Sequence, residues 1–380
     1  MHARALTRSR LSAILWAYDE RGCTDRKRNA PMVTSEEVAQ LAGVSRATVS
    51  RVLNGSPRIS AETKERVHAA IKQLGYEPNI AAQNLARQSS QMLALSLFGE
   101  DEGLAISHLG STENYFYVDM VRSIDRGAVA AGYDLFLPSL LPDRSPENYI
   151  RSLRARHVAG VIMLAVDPSD PRIQALFRSD IPTIFVDSIN GEGRHATYVT
   201  SNHMDGAYQI TAHLLSLGHT RIAFMMGPLI DPVSTERLLG SQQALARAGI
   251  SLVPDLLCQA GWTTEEACQA TRALLSKRRD FTAIVAGSDM MAIGILRALQ
   301  ECGLSVPGDV SLTGFDDVVL SQYTTPSLTT MHQDREGMGS GAVQRLIALI
   351  EGREEVSPLI MPTQLVVRES TGPVSANKEI

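Results

Sequence analysis

Polar and apolar positions first follow a helical spacing along the chain. Thr34-Ser35-Glu36-Glu37 has capping-box form and starts a helix expected to bury Val38, Leu41 and Ala42. Gly43 ends it, Val44 tucks under the turn, and Ser45 caps a second helix over 46–54 with Val49, Val52 and Leu53 facing inward. The other side offers Arg46, Ala47, Ser50, Arg51 and Asn54, small or hydrogen-bonding groups that suit a major groove. This is a helix-turn-helix pattern, and two short helices about a glycine are equally the pattern of a hairpin with no DNA partner. Ser60 caps a third helix with Val67, Ala70, Ile71 and Leu74 inside and Gly75 at its end. Past Pro78, the alanine-rich segment 79–87 is too short to be a stable helix alone in water.

From Gln91 onward short apolar runs alternate with longer helix-period runs, as in a doubly wound α/β sheet. Strands are expected at 93–98, 133–137, 160–165, 183–186, 221–226, 281–286, 310–313 and 364–367. Helices are expected at 117–131, 203–217, 234–248, 264–275, 290–302 and 335–350. So many strands strain one sheet, so two Rossmann-like lobes with a cleft at the strand carboxyl ends are expected.

Composition changes this picture little. At 380 residues, 44% hydrophobic and 20% charged, the chain is long enough for two or three ordinary folding units. No apolar run approaches the roughly 18 residues of a spanning helix, and the apolar stretch 11–18 lacks a cleavage site, so secretion is not expected. Cys23, Cys258, Cys268 and Cys302 form no CxxC pair and sit in no histidine cluster, which points to a reducing cytoplasm and away from a disulfide framework or a metal site. Residues 1–90 hold 14 Lys/Arg against 8 Asp/Glu, whereas 91–380 hold 22 against 33. A basic head on an acidic body suggests nucleic acid at one end and a small or neutral ligand at the other. Half of those 14 basic side chains precede Met32, because 32–90 carry 7 basic and 5 acidic side chains. No GxxxxGK[ST], GxSxG or HExxH is present, and no enzyme activity or cofactor is expected. Gly337-Met338-Gly339-Ser340-Gly341 lacks the spacing and lysine of a phosphate loop and reads as close helix packing.

Residues 34–87, with AGVSRATVSRVLNG at 42–55 and LGYEPN at 74–79, resemble the DNA-binding head of the LacI/GalR family of bacterial transcriptional regulators. The resemblance implies that Arg46, Ala47, Ser50 and Arg51 read bases and that Thr34, Ser45, Thr48, Asn54 and Arg58 approach phosphates. It also implies that the segment carrying Asn79, Ala82 and Leu85 is a hinge helix, ordered on the operator, with Leu85 wedged into the central base step.

The body shares the resemblance through LLSLGHTRIAFMMGP (214–228), ERLLGSQQAL (236–245), SDMMAIGILRAL (288–299) and VPGDVSLTGFDDVVLSQYTTPSLTT (306–330). Together they imply an all-α helix-turn-helix head and an α/β periplasmic-binding-protein-like body of two Rossmann-like lobes. Implied effector contacts are Phe116, Tyr117, Asp187, Arg237, Trp262, Ser288 and Asp316, with Asp317 turned elsewhere. A strand-end carboxylate accepts hydroxyl or amine hydrogens, a guanidinium suits paired hydroxyls or a carboxylate, and an indole face suits a sugar ring. Each also has a plain reading: Asp187 as a turn or cap, Arg237 as a surface ion pair, Trp262, Phe116 and Tyr117 as packing. Ser288 stands where the family often has asparagine, which removes an amide donor, and Ser201 replaces a usual aspartate, a change read as structural.

The implied function is a sequence-specific repressor of a catabolic operon, a homodimer on a palindromic double-stranded DNA operator, controlled by a small effector such as a sugar. A sugar-binding transport protein and a purine-responsive corepressor system are the alternatives; the former would carry a signal peptide and no helix-turn-helix. The expected division is an extension at 1–31 with translation starting at Met32, a head at 32–77, a hinge and linker at 78–90, a two-lobed effector and dimerisation body at 91–370, and a tail at 371–380. The tail has no leucine, so tetramerisation through a leucine heptad is not expected.

Overall fold

The structure is a computed structural model of the chain, and it describes residues 33–53, 56–76, 90–97, 115–138, 145–164, 170–188, 193–353 and 355–374. The chain separates into two compact units, Met1–Ala86 and Arg87–Ile380.

In the first unit, α1 (Ser35–Ala42), α2 (Arg46–Leu53) and α3 (Ala61–Leu74) enclose one small core. Val38, Ala39, Ala42, Val49, Val52, Val67 and Ala70 are buried there, with Val44, Leu53, Ile71 and Leu74 packed around them. Leu41 corrects the sequence reading: it is 46% exposed, and Ala39 takes its place inside. In so short a helix the small Val38, Ala39 and Ala42 define the inward stripe, leaving Leu41 on its flank. The Thr34 capping box forms with both of its hydrogen bonds. Gly43 adopts the left-handed conformation (φ 65°), and Val44 N–H reaches back to Ala39 O at 3.0 Å, closing the turn.

The second unit holds two lobes. In the first, β1 (Met92–Leu97), β2 (Asp134–Phe136), β3 (Gly160–Leu164), β4 (Thr183–Val186), β5 (Ala196–Ser201) and β11 (Leu359–Met361) form a parallel sheet in the order β11-β5-β4-β3-β1-β2. Alternation sends Leu93, Leu95, Ile162, Leu164, Ile184 and Val186 to one face, under α4 (Tyr115–Ala130) and α11 (Arg335–Ile350). Ala94, Val161, Met163 and Phe185 pack on the other, under α5 (Pro146–Ala155) and α6 (Pro171–Phe177). Both faces are covered, so β3 and β4 are buried throughout.

In the second lobe, β6 (Ile222–Met226), β7 (Leu257–Gln259), β8 (Ala283–Ala286) and β9 (Ser311–Thr313) are parallel in the order β7-β6-β8-β9. Helices α9 (Thr264–Lys277) and α10 (Asp289–Glu301) cover one face; α7 (His203–Ser216) and α8 (Pro232–Arg247) cover the other. An antiparallel pair, β10 (Thr330–Gln333) with β12 (Thr363–Val366), packs beside α7. The chain crosses between lobes after β5, after β10 and after β11, and Asn202 N–H donates to Met361 O at 2.8 Å where two crossings run together.

Two helices escape the periodicity reading, α5 and α6. Both carry a start signal, since Ser145 and Asp170 cap them and a proline occupies the first turn of each. Strands β5, β7, β10 and β11 were not expected either; they are short or rich in threonine and serine, and pairing with neighbours makes them strands. The glycine run of α11 is packing: a Cβ on Gly339 would lie 2.5 Å from Ser123 Cβ of α4. Ser201 is buried and donates to Met338 Sδ at 3.3 Å. The tail extends the second lobe as far as Val374, whose N–H donates to Leu217 O at 3.1 Å, and Gly372 N–H donates to Ser311 Oγ at 3.1 Å.

Candidate functional site

In the head, Ser45 accepts from Thr48 N–H at 3.1 Å, which starts α2 and fixes its rotation about its axis. With Val49 and Val52 inside, Arg46, Ala47, Ser50 and Arg51 are exposed together and Thr48 is half-buried. Arg46 Nε donates to Ser35 Oγ at 3.0 Å, so its guanidinium is tethered to the start of α1. Thr34 and Arg58 are exposed, and the Thr34 main-chain and side-chain hydrogen bonds hold the Glu37 carboxyl below its usual range. Asn54, Asn79, Ala82 and Leu85 lie outside the described residues.

In the body, strand ends of both lobes deliver polar groups to one buried cluster. Asp187 follows β4 and Asp316 follows β9; both have positive φ, 58° and 115°. Non-glycine residues rarely adopt such φ, and they do so where surrounding contacts impose it. The Asp187 carboxylate accepts from Thr200 Oγ1 at 3.3 Å and lies 2.7 Å from His203 Nε2. His203 is fully buried at the start of α7, and its Nδ1 faces Arg237 Nε and Nη2, each at 3.3 Å. Arginine only donates, so Nδ1 accepts, and the imidazole proton resides on Nε2, directed to Asp187. Burial alone would push the Asp187 carboxyl up; the His203 imidazole, Arg237 and Thr200 outweigh it and bring it below the usual range.

Arg237 is the hub. Only 3% exposed, it donates from Nη1 to Gly287 O and lies 3.6 Å from Asp316 Oδ1, with its guanidinium carbon 3.8 Å from the Phe315 ring centre and 5.7 Å from that of Trp262. It is a buried anchor, not a surface ion pair. Gln333 Nε2 donates to Asp316 Oδ1 at 2.7 Å, and Arg335 donates to the carbonyl oxygens of Asp316 and Asp317. Burial raises the Asp316 carboxyl to about 6, despite the opposing pull of Arg237 and Arg335. Asp289, fully buried nearby at the start of α10, is pushed well above its ordinary value by burial and then by Asp316, while accepting from Thr330 Oγ1 and Val318 N–H.

The half-buried Trp262 donates from Nε1 to Asp231 Oδ2 at 3.1 Å, and Asp231 caps α8 through Val233 N–H at 2.9 Å. Gly227 permits this placement, since a Cβ there would lie 2.5 Å from the indole. Burial raises Asp231, and Asp187 adds to the effect. Tyr117 feels the same group: burial first, then Asp187, Asp231 and Asp316, raise its phenol well above the ordinary value. Ser288 caps α10 by accepting from Met291 N–H at 3.2 Å, one residue from the carbonyl that takes Arg237.

Tyr117, Asp187, Arg237, Trp262 and Asp316 thus come together, with Ser288 alongside. Phe116 packs together with Tyr117 on the first-lobe core, the two rings edge-on at 5.4 Å. Asp317 turns away to Arg368 Nη2 (2.6 Å) and His332 Nδ1 (3.0 Å). His203, Asp231, Phe315 and Gln333 were missed from sequence. Asp231 had a signal, an aspartate before a helix-starting proline; a histidine or glutamine at an element end has none. Among the described residues no cluster of His, Cys, Asp and Glu has metal-binding geometry, and no helix is long and apolar enough to cross a membrane.

Comparison with known proteins fits both halves. Residues 34–79 match the family described as bacterial regulatory proteins, lacI family, and residues 211–371 match the periplasmic binding protein-like domain. The chain is 34% identical to the HTH-type transcriptional regulator CelR of Thermobifida fusca, over 89% of this chain and 98% of that protein. A structure of a CelR–cellobiose complex superposes with a TM-score of 0.67 at 32% identity, covering 89% of this chain and 99% of that one. The lac repressor dimer bound to operator and the anti-inducer ONPF gives a TM-score of 0.75 at 30% identity, covering 90% and 100%.

Proposed function

The chain belongs to the LacI family of DNA-binding transcriptional regulators, and on that premise we propose that it represses a catabolic operon as a homodimer under the control of a small polyhydroxylated effector, a sugar or sugar derivative. The observation that carries the effector half is the buried Arg237, set between strand-end carboxylates contributed by both lobes and flanked by an indole. A molecule bound there touches both lobes, so it stabilises one of their relative orientations. The exposed side of α2 supports the other half: Arg46, Ala47, Ser50 and Arg51 read bases while Thr34, Ser45, Thr48, Arg58 and Asn54 approach phosphates, and Asn79, Ala82 and Leu85 act at the hinge. Reading a palindrome requires two heads, hence the dimer. This role is played on DNA in the cytoplasm and includes no catalytic step.

The test is affinity selection of fragmented genomic DNA by the purified chain, with and without a mixture of sugars. A retained palindrome whose capture changes with the sugars is the expected result. A demonstrably folded dimer that enriches no sequence in either condition overturns the proposal.

A further inference from the structure

An arginine in a ligand cleft suggests an anionic ligand, yet each nitrogen of Arg237 is already engaged. Nη1 serves Gly287 O, Nε and Nη2 serve His203 Nδ1, and Nη2 also lies 3.6 Å from Asp316. The Trp262 indole N–H is held by Asp231, and Arg335 is held by Asp119 at 3.3 Å and by two main-chain carbonyls. What remains unfilled is mainly accepting capacity. Asp187, Asp231 and Asp316 each keep lone pairs beyond the bonds described, since a carboxylate offers about four. Gln333 is 0% exposed; its Nε2 serves Asp316, while its Oε1 has no donor among the described residues. Ser234 Oγ, also 0% exposed on the first turn of α8, has no partner there either, and it lies beside the same Gly227 that abuts the indole. Apart from the Ser234 hydroxyl and one Nη1 N–H of Arg237, the unfilled positions here accept, so a donor-rich ligand satisfies more of them than an anion does.

We infer that the cleft takes a polyhydroxylated ligand carrying a protonated amine, an amino sugar by chemical class, in place of a sugar acid or a sugar phosphate. The inference rests on the effector reading of this cleft. Three carboxylates are set against Arg237 and against an Arg335 that is shared with Asp119, so closing the cleft on a neutral molecule traps excess negative charge, whereas an ammonium group supplies three donors and the missing positive charge.

Isothermal titration of the full chain with glucosamine, N-acetylglucosamine, glucose, glucuronate and glucose 6-phosphate tests this. A charge-assisted hydrogen bond exceeds a neutral one by roughly 1.4 kcal/mol, so glucosamine should bind roughly tenfold tighter than glucose or the acetylated sugar, with no measurable binding of the two anions. Asp231→Asn retains a good helix cap while removing the charge, and should collapse that preference. Equal binding of glucosamine and its acetylated form, tighter binding of either anion, or no binding of glucosamine overturns the inference. If glucose or an anion binds and Trp262→Ala abolishes that binding, the amine requirement falls and the effector site stands. If the binding that occurs is indifferent to both Trp262→Ala and Asp231→Asn, the placement of the site falls with it.

Discussion

Arg237 has its conformation decided by protein groups before a ligand arrives. Gly287 O, His203 Nδ1 and the Phe315 ring hold the guanidinium, and His203 passes the connection on to Asp187 in the other lobe. Asp316 answers it from a backbone conformation rare for a residue with a side chain, which fits a position fixed by its partners. Its titration gives a prediction with a definite sign. Folding raises the carboxyl from 3.8 to about 6, so between those values the native state holds a proton that the unfolded chain has released. The stability contributed by this group is complete below pH 3.8 and is lost as the pH climbs through 6. The melting temperature of Asp316→Asn minus that of the parent should therefore grow from pH 4 to 6 and level off above, as followed by circular dichroism. A difference that stays constant across this range would show that Asp316 does not titrate there.

Short elements carry the head. Eight-residue helices are marginal alone, so α1 and α2 persist through their caps and the shared Val38, Val49 and Val67 core. Val49→Ala removes two methyl groups from a fully buried site and should lower the stability of this unit by about 2 kcal/mol, seen as earlier melting and as loss of operator binding at temperatures where the parent still binds. Arg51→Ala leaves the core untouched and should instead weaken operator binding by about 1–3 kcal/mol with unchanged melting, measured by fluorescence anisotropy on a selected operator. Elements with strong local signals were legible in the chain: α11 runs over the expected residues, and the α1 capping box forms as read. Strand β5 was not, because Thr197, Thr200 and Ser201 look like solvent-facing residues until β4 and β11 enclose them.

Across the whole molecule, three crossings join the lobes, and the polar cluster lies among residues close to them: His203 just after the first, Gln333 just before the second. A ligand that favours one lobe arrangement and an operator that favours one dimer geometry are then thermodynamically linked, and the linkage is reciprocal. Whatever factor the effector imposes on operator affinity, operator DNA should impose on effector affinity; titrating the effector with and without a saturating palindrome checks this, and unequal factors would exclude a simple two-site coupling. The sequence by itself determined where the head helices start and stop, most of the head core with Leu41 read in place of Ala39, and that two α/β lobes follow, because capping, turn chemistry and periodicity act over a few residues. Asp187, Arg237, Trp262 and Asp316 could be singled out by type and resemblance. Only the tertiary structure decided that His203 bridges the lobes, that each nitrogen of Arg237 is engaged and that the cleft is left rich in acceptors, because these depend on groups far apart in the chain that meet only when strand ends of two lobes converge.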